Sequence, residues 1–228
     1  MEFKSTNSDL FPQPISSLLK ALSSVGFFEE SLLIGSWVMP LYREFYGISY
    51  VLRTMDIDFA VQLVKGNNTG RTDLQRLFVS QGFTPFFTQS GIQKFSREGF
   101  TIEFIAHRRN TRDENPILIR DWNVTAAPLP FINILTDSSF LAEFPEYSVR
   151  VPIPEAFFLH KLVTASRRRE EGKKAKDLDQ CAVIVPKLDR ERLDHVCRSV
   201  KFSSKTWSAI RSSCELISFP PQLLGLKE

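Results

Sequence analysis

The sequence predicts an α+β protein: a mixed sheet flanked by helices over residues 1–151, then a helical C-terminal region over 152–228. Short runs rich in Phe, Ile and Thr between Phe83 and His107, broken at Ser90-Gly91 and Glu98-Gly99, read as antiparallel hairpins. After Pro152 the pattern changes, and apolar residues recur at helical spacing almost to the end of the chain.

The first helix is predicted over Ile15–Val25, where Ile15, Leu18, Leu19 and Leu22 share one face. Ser31–Ile34 is a short apolar strand that stops at Gly35. Trp37–Phe45 follows as a helix, with Pro40 tolerated near its first turn. Asp56–Val61 is the next strand, its side chains alternating between Asp56/Asp58 and Ile57/Phe59. Asp73–Gln81 is a helix closed by Gly82. The runs FTPFF, IQKFS and FTIEFIAH supply the hairpins, and Val124–Leu135 and Tyr147–Val151 add edge strands. Pro154 opens a helix reaching about Arg169, and 173–187, 189–199 and 204–217 continue as helices. No internal repeat or low-complexity segment interrupts the chain.

Composition excludes several classes. A hydrophobic content of 43% with 24% charged residues is that of an ordinary globular protein, and 20 Phe residues predict a core filled by aromatic rings. The net charge of +3 is compatible with an anionic ligand without demanding one. Cys181, Cys197 and Cys214 are scattered, and neither they nor His107, His160 and His195 have zinc-ligand spacing. The polar start MEFKSTNSDLFPQ is unlike a signal peptide. No apolar run approaches the ~20 residues of a membrane span. A soluble cytoplasmic protein with reduced thiols is therefore expected.

Asp56 and Asp58, two apart on a strand, point to one face, where like charges are costly unless a cation joins them. Hard oxygen ligands suit magnesium or manganese. The bland alternative is a pair of exposed strand-end acids. Glu103, between Ile102 and Phe104, needs a partner in so apolar a strand. A third metal ligand is one solution, and a salt bridge to an arginine is the other. Gly35-Ser36, at a strand-to-helix turn, suits phosphate oxygens, although capped turns also look this way.

Taken in order, SLLIGSW, RTMDIDFAV and FTIEFI resemble the signature of the nucleotidyltransferase superfamily related to DNA polymerase beta. The segment VPIPEAFFLHKLVTASRRREEGKKAKDLDQCAVIV looks like the helical region of minimal bacterial nucleotidyltransferases, including the abortive-infection toxin type. The resemblance runs from about Leu32 to Val185. The interval from Ser36 to Asp56 is longer than the family's usual spacing, which implies an extended helix or loop.

The resemblance implies a nucleotidyltransferase-like fold and a metal-dependent enzyme that moves an NMP from an NTP to an RNA (tRNA included), protein or small-molecule acceptor. Asp56, Asp58 and Glu103 would bind metal, and Glu103 would also help to deprotonate the acceptor. Gly35 and Ser36 would hold phosphates. Lys161 would reach the phosphates or pair with Asp177, an ion pair that equally suits a purely orienting role. Alternatives are an inactive module binding nucleotide or RNA, or the toxin half of a toxin–antitoxin pair with an antitoxin partner. The basic residues Arg167, Arg168, Arg169, Lys173, Lys174 and Lys176 read first as a solvated face, and otherwise as a surface steering an anionic acceptor. Phe202 and Trp207 read as inward-packed rings rather than base-stacking platforms.

Overall fold

The structure, a computed structural model, describes residues 3–52, 54–62, 72–108 and 115–225. Its main sheet is built on β2 (Leu32–Ile34), β3 (Asp56–Val61), β6 (Phe100–His107), β5 (Gln93–Arg97) and β4 (Thr84–Phe87), in that spatial order. β3 and β6 run parallel, and their other neighbours β2 and β5 are antiparallel. Beyond Glu103, β6 changes partner. Residues 105–107 pair in parallel with β8 (Val124–Leu129), which also carries β7 (Ile117–Ile119).

Register in this sheet is fixed by its apolar face. Ile57 and Phe59 of β3, with Ile102 and Phe104 of β6, are fully buried. Phe59 stacks on Phe104 at 5.9 Å, Phe104 stacks on Phe78 at 5.9 Å, and Phe27 meets Phe59 edge-on at 5.4 Å. A one-residue slip would turn these rings outward, so the aromatic core holds the intervening polar residues on the opposite face. The Phe-rich interior expected from composition is this layer.

The smaller sheet, β1 (Phe3–Lys4), β9 (Ser139–Glu143) and β10 (Ser148–Pro152), was only partly anticipated. β10 is the expected 147–151 strand, but it pairs with β9 rather than edging the main sheet. The strand expected through Leu135 stops at Leu129 and gives way to α4 (Asn133–Thr136). Pro128 and Pro130 lack the amide donors a continuing ladder needs.

α1 (Ile15–Ser24), α2 (Met39–Tyr46) and α3 (Leu74–Ser80) accompany the strands. The Asp73 side chain caps α3 by accepting from the Arg76 amide at 3.2 Å. After Pro152 come α5 (Pro154–Ala165), α6 (Glu171–Ile184), α7 (Arg190–Ser199) and α8 (Ser204–Leu216). α5 is buried almost all round, as befits a helix in contact with α4, α6, α7 and α8. It ends at Ala165, short of the expected Arg169. Thr164 donates to the His160 carbonyl and Ser166 to the Val163 carbonyl, hydroxyl bonds that compete with helix continuation. Among the described residues, no helix is long and apolar enough to cross a membrane.

Candidate active site

The β3–β6 register sets Asp58 directly beside Glu103, and the β5–β6 register sets Lys94 on Glu103's other side. Alternation puts all three side chains on the face opposite the phenylalanines. Asp56 lies one pleat further along the same face, opposite Thr101. The predicted acids therefore share one wall of a cleft of about 600 Å³. Glu103 has a salt-bridge partner, but it is a lysine and not the arginine considered from sequence: Lys94 Nζ donates to Glu103 Oε2 at 2.9 Å.

Gly35 and Ser36 line the same cleft, because β2 pairs with β3 so that Ile34 stands beside Asp58. The long Ser36–Asp56 interval is taken up by α2 and the loop behind it, which leaves this pairing intact. The turn into α2 is a 3₁₀ stretch, Gly35–Val38, rather than an α-helical start. Gly35 has φ +68°, and a Cβ there would overlap Asp58 Oδ2 and stand 3.2 Å from its Cγ. Only glycine fits both demands. Buried Ser36 accepts at Oγ from Gln180 Nε2 at 2.8 Å, so its own hydroxyl proton remains available to donate. Gln180, carried on α6, gave no sequence signal because its partner lies far away in the chain.

The opposite wall is cationic and comes from α5, α6 and their connection. Lys161 Nζ donates to Asp177 Oδ1 at 2.5 Å, and Arg168 Nε donates to Asp177 Oδ2 at 3.1 Å. Lys161 and Asp177 thus make the helix–helix ion pair that was one of their two readings, at the cleft margin. Lys176, Lys173, Arg167 and Arg168 line the cleft too, so these members of the basic run are not a plain solvated face. Lys173, at the exposed rim, also pairs with Glu170 at 3.0 Å, and Lys174 pairs with Glu171. Arg167 packs over the Phe131 ring at 4.8 Å and bonds Thr206. Phe202 meets Trp207 at 4.7 Å and Phe131 at 4.9 Å, the inward packing expected of that pair.

Electrostatics single out Asp58. Burial, then the neighbouring Glu103, pushes its carboxyl up to about 6, with Lys161 and Lys176 opposing and Asp56 adding to the rise. Lys176 is held below the ordinary lysine range by burial and by Lys161, against the pull of Asp56, Asp58 and Asp177. Among the described residues, no three His, Cys, Asp or Glu side chains are gathered closely enough to hold a metal ion as they stand. The donor chemistry nonetheless fits a hard divalent cation. The oxygens are carboxylates on one face, and the rise at Asp58 is what an added cation would relieve. Glu103 meets Lys94 through Oε2 alone.

The comparisons agree with this architecture. No curated protein matches the chain. The crystal structure of an antigenic nucleotidyltransferase-like protein from Paracoccidioides brasiliensis superposes with a TM-score of 0.56 over 92% of this chain and 92% of that one. At 14% identity, that likeness is one of fold. A family model described as nucleotidyltransferase matches residues 13–201, a span that takes in Gly35, Asp58, Glu103 and Asp177. This chain belongs to the nucleotidyltransferase family.

Proposed function

We propose that the protein transfers a nucleoside monophosphate from a nucleoside triphosphate to an acceptor hydroxyl and releases pyrophosphate, with Asp56, Asp58 and Glu103 holding magnesium or manganese. One observation carries the reading: three carboxylates on paired strands share a cleft with a wall of lysines and arginines. A bound divalent ion would neutralise charge on the reacting phosphoryl group. The rest is work for the chain's own side chains. Ser36 donates its free hydroxyl proton to a phosphate oxygen, and Lys161 and Lys176 offset the charge of the polyphosphate. Glu103, once parted from Lys94, accepts the proton of the attacking hydroxyl. Ile105, Leu129 and Val163 line the cleft with apolar surface that limits water there.

The test is incubation with each labelled NTP, magnesium, and pools of RNA, protein and small molecules. Covalent label in one pool identifies the acceptor class. Glu103→Gln keeps the size of the side chain but removes its charge, so transfer should fall by about 10²-fold or more while NTP binding barely changes. If the wild type labels nothing, yet binds RNA through Arg167, Arg168 and Arg169, the enzyme reading is wrong and the chain is a binding module.

A further inference from the structure

We propose that Lys94 is a positioning residue of the site: its ammonium holds Glu103 away from the aspartates until a divalent ion takes its place. The inference rests on the metal-binding reading above and adds a residue to it. Asp58, Glu103 and Lys94 form one cross-strand row over β3, β6 and β5, with Glu103 in the middle. Its carboxylate is repelled on one side and held at 2.9 Å on the other. Each partner of that bridge is only 23% exposed, so solvent screens it less than an ordinary surface pair.

Lys94 is not needed as a staple for the sheet. Its neighbour Phe95, fully buried and opposite Ile102, anchors β5 from the core face, where it packs edge-on to Phe78 at 4.8 Å. The lysine side chain emerges into the cleft and meets Glu103 there. As they stand, the acids among the described residues are not gathered for a metal, and Glu103 Oε2 is engaged by Lys94. An ion and the ammonium then compete for this one carboxylate, which the ammonium holds at Oε2. The displaced ammonium remains in the cleft, where a phosphate is its natural new partner. Metal and nucleotide therefore load together, each favouring the other.

The experiment is a calorimetric titration of the full chain with manganese, with and without a non-hydrolysable NTP analogue. Wild type, Lys94→Met, Lys94→Arg and Asp58→Asn are compared. Removing a competing unit charge in a partly buried site should tighten manganese binding without nucleotide by about tenfold in Lys94→Met. The enhancement that nucleotide gives should shrink in the same variant. Lys94→Arg should behave as wild type, and Asp58→Asn should lose manganese binding. If Lys94→Met is unchanged or weaker while Asp58→Asn loses the ion, the competition is overturned and the metal site stands. If wild type and Lys94→Met both fail to bind manganese, the metal site and the competition fall together. Should Lys94→Met unfold, as its melting curve would show, Lys94→Gln carries the same neutralisation and the same expected tightening.

Discussion

Asp58 lies so close against Gly35 that the space a β-carbon would need is already filled by its carboxylate. Gly35→Ala therefore carries two penalties, a methyl–carboxylate overlap and a left-handed backbone at φ +68°. Urea denaturation should show a loss of about 2–4 kcal/mol. In an Asp58→Ala background the overlap is gone and only the backbone cost remains, so the two effects should be clearly non-additive. Strict additivity would mean that the two residues do not press on each other.

Stability should respond to pH through Asp58. Its carboxyl is raised in the folded protein from 3.8 to about 6, so the fold binds this proton more tightly than the unfolded chain does. The associated stability is fully present below about pH 4 and is lost as pH rises through 6. Asp58→Asn should accordingly be more stable than wild type at pH 8, by up to about 3 kcal/mol in urea denaturation. The difference should vanish near pH 4. Manganese should narrow the gap at pH 8 by stabilising the wild type alone. A constant difference across pH would show that the substitution acts through packing.

The Lys161–Asp177 pair separates orientation from binding. Asp177 has a side chain only 4% exposed and takes both Lys161 and Arg168, whereas Lys161 is 11% exposed. Asp177→Asn leaves Lys161 without its partner in a poorly solvated place and should cost about 3 kcal/mol. Lys161→Met leaves Asp177 with Arg168 and should cost less. For nucleotide binding the order should reverse, because both side chains line the cleft and only the ammonium of Lys161 attracts a phosphate. Thermal melts and a fluorescent-nucleotide titration on both variants decide the matter. Equal losses in both measurements would reduce the pair to a structural bridge.

What could be read in advance follows from the range of the forces involved. Asp56, Asp58 and Glu103 were legible because a strand alternates with period 2 and an acid among buried Ile and Phe stands out. The α5 start was legible from Pro154, a residue suited to the first turn of a helix. Lys94 and Gln180 were not legible, since their partners Glu103 and Ser36 are chosen by strand register and helix docking. β1 was hidden for the same reason, as Phe3 finds Ala142 only once β9 is in place. α5 stops at Ala165, ahead of the helix-favouring arginines, where the hydroxyls of Thr164 and Ser166 bond backbone carbonyls one turn back.

The change of partner along β6 has a mechanical meaning. Glu103 is the last β6 residue in register with β5, and Ile105 is the first in register with β8. The seam between these flanking strands falls at the carboxylate itself. The β4–β5 hairpin joins the parallel part of the sheet through residues 94–97 against 100–103 and through the Gln93 amide, which donates to Thr125 Oγ1 of β8 at 2.7 Å. Lys94 belongs to that hairpin, while Asp56 and Asp58 sit on β3 between β2 and β6. The row therefore takes its acids from the parallel strands and its lysine from the antiparallel hairpin, so the site is assembled across a boundary between two kinds of strand pairing.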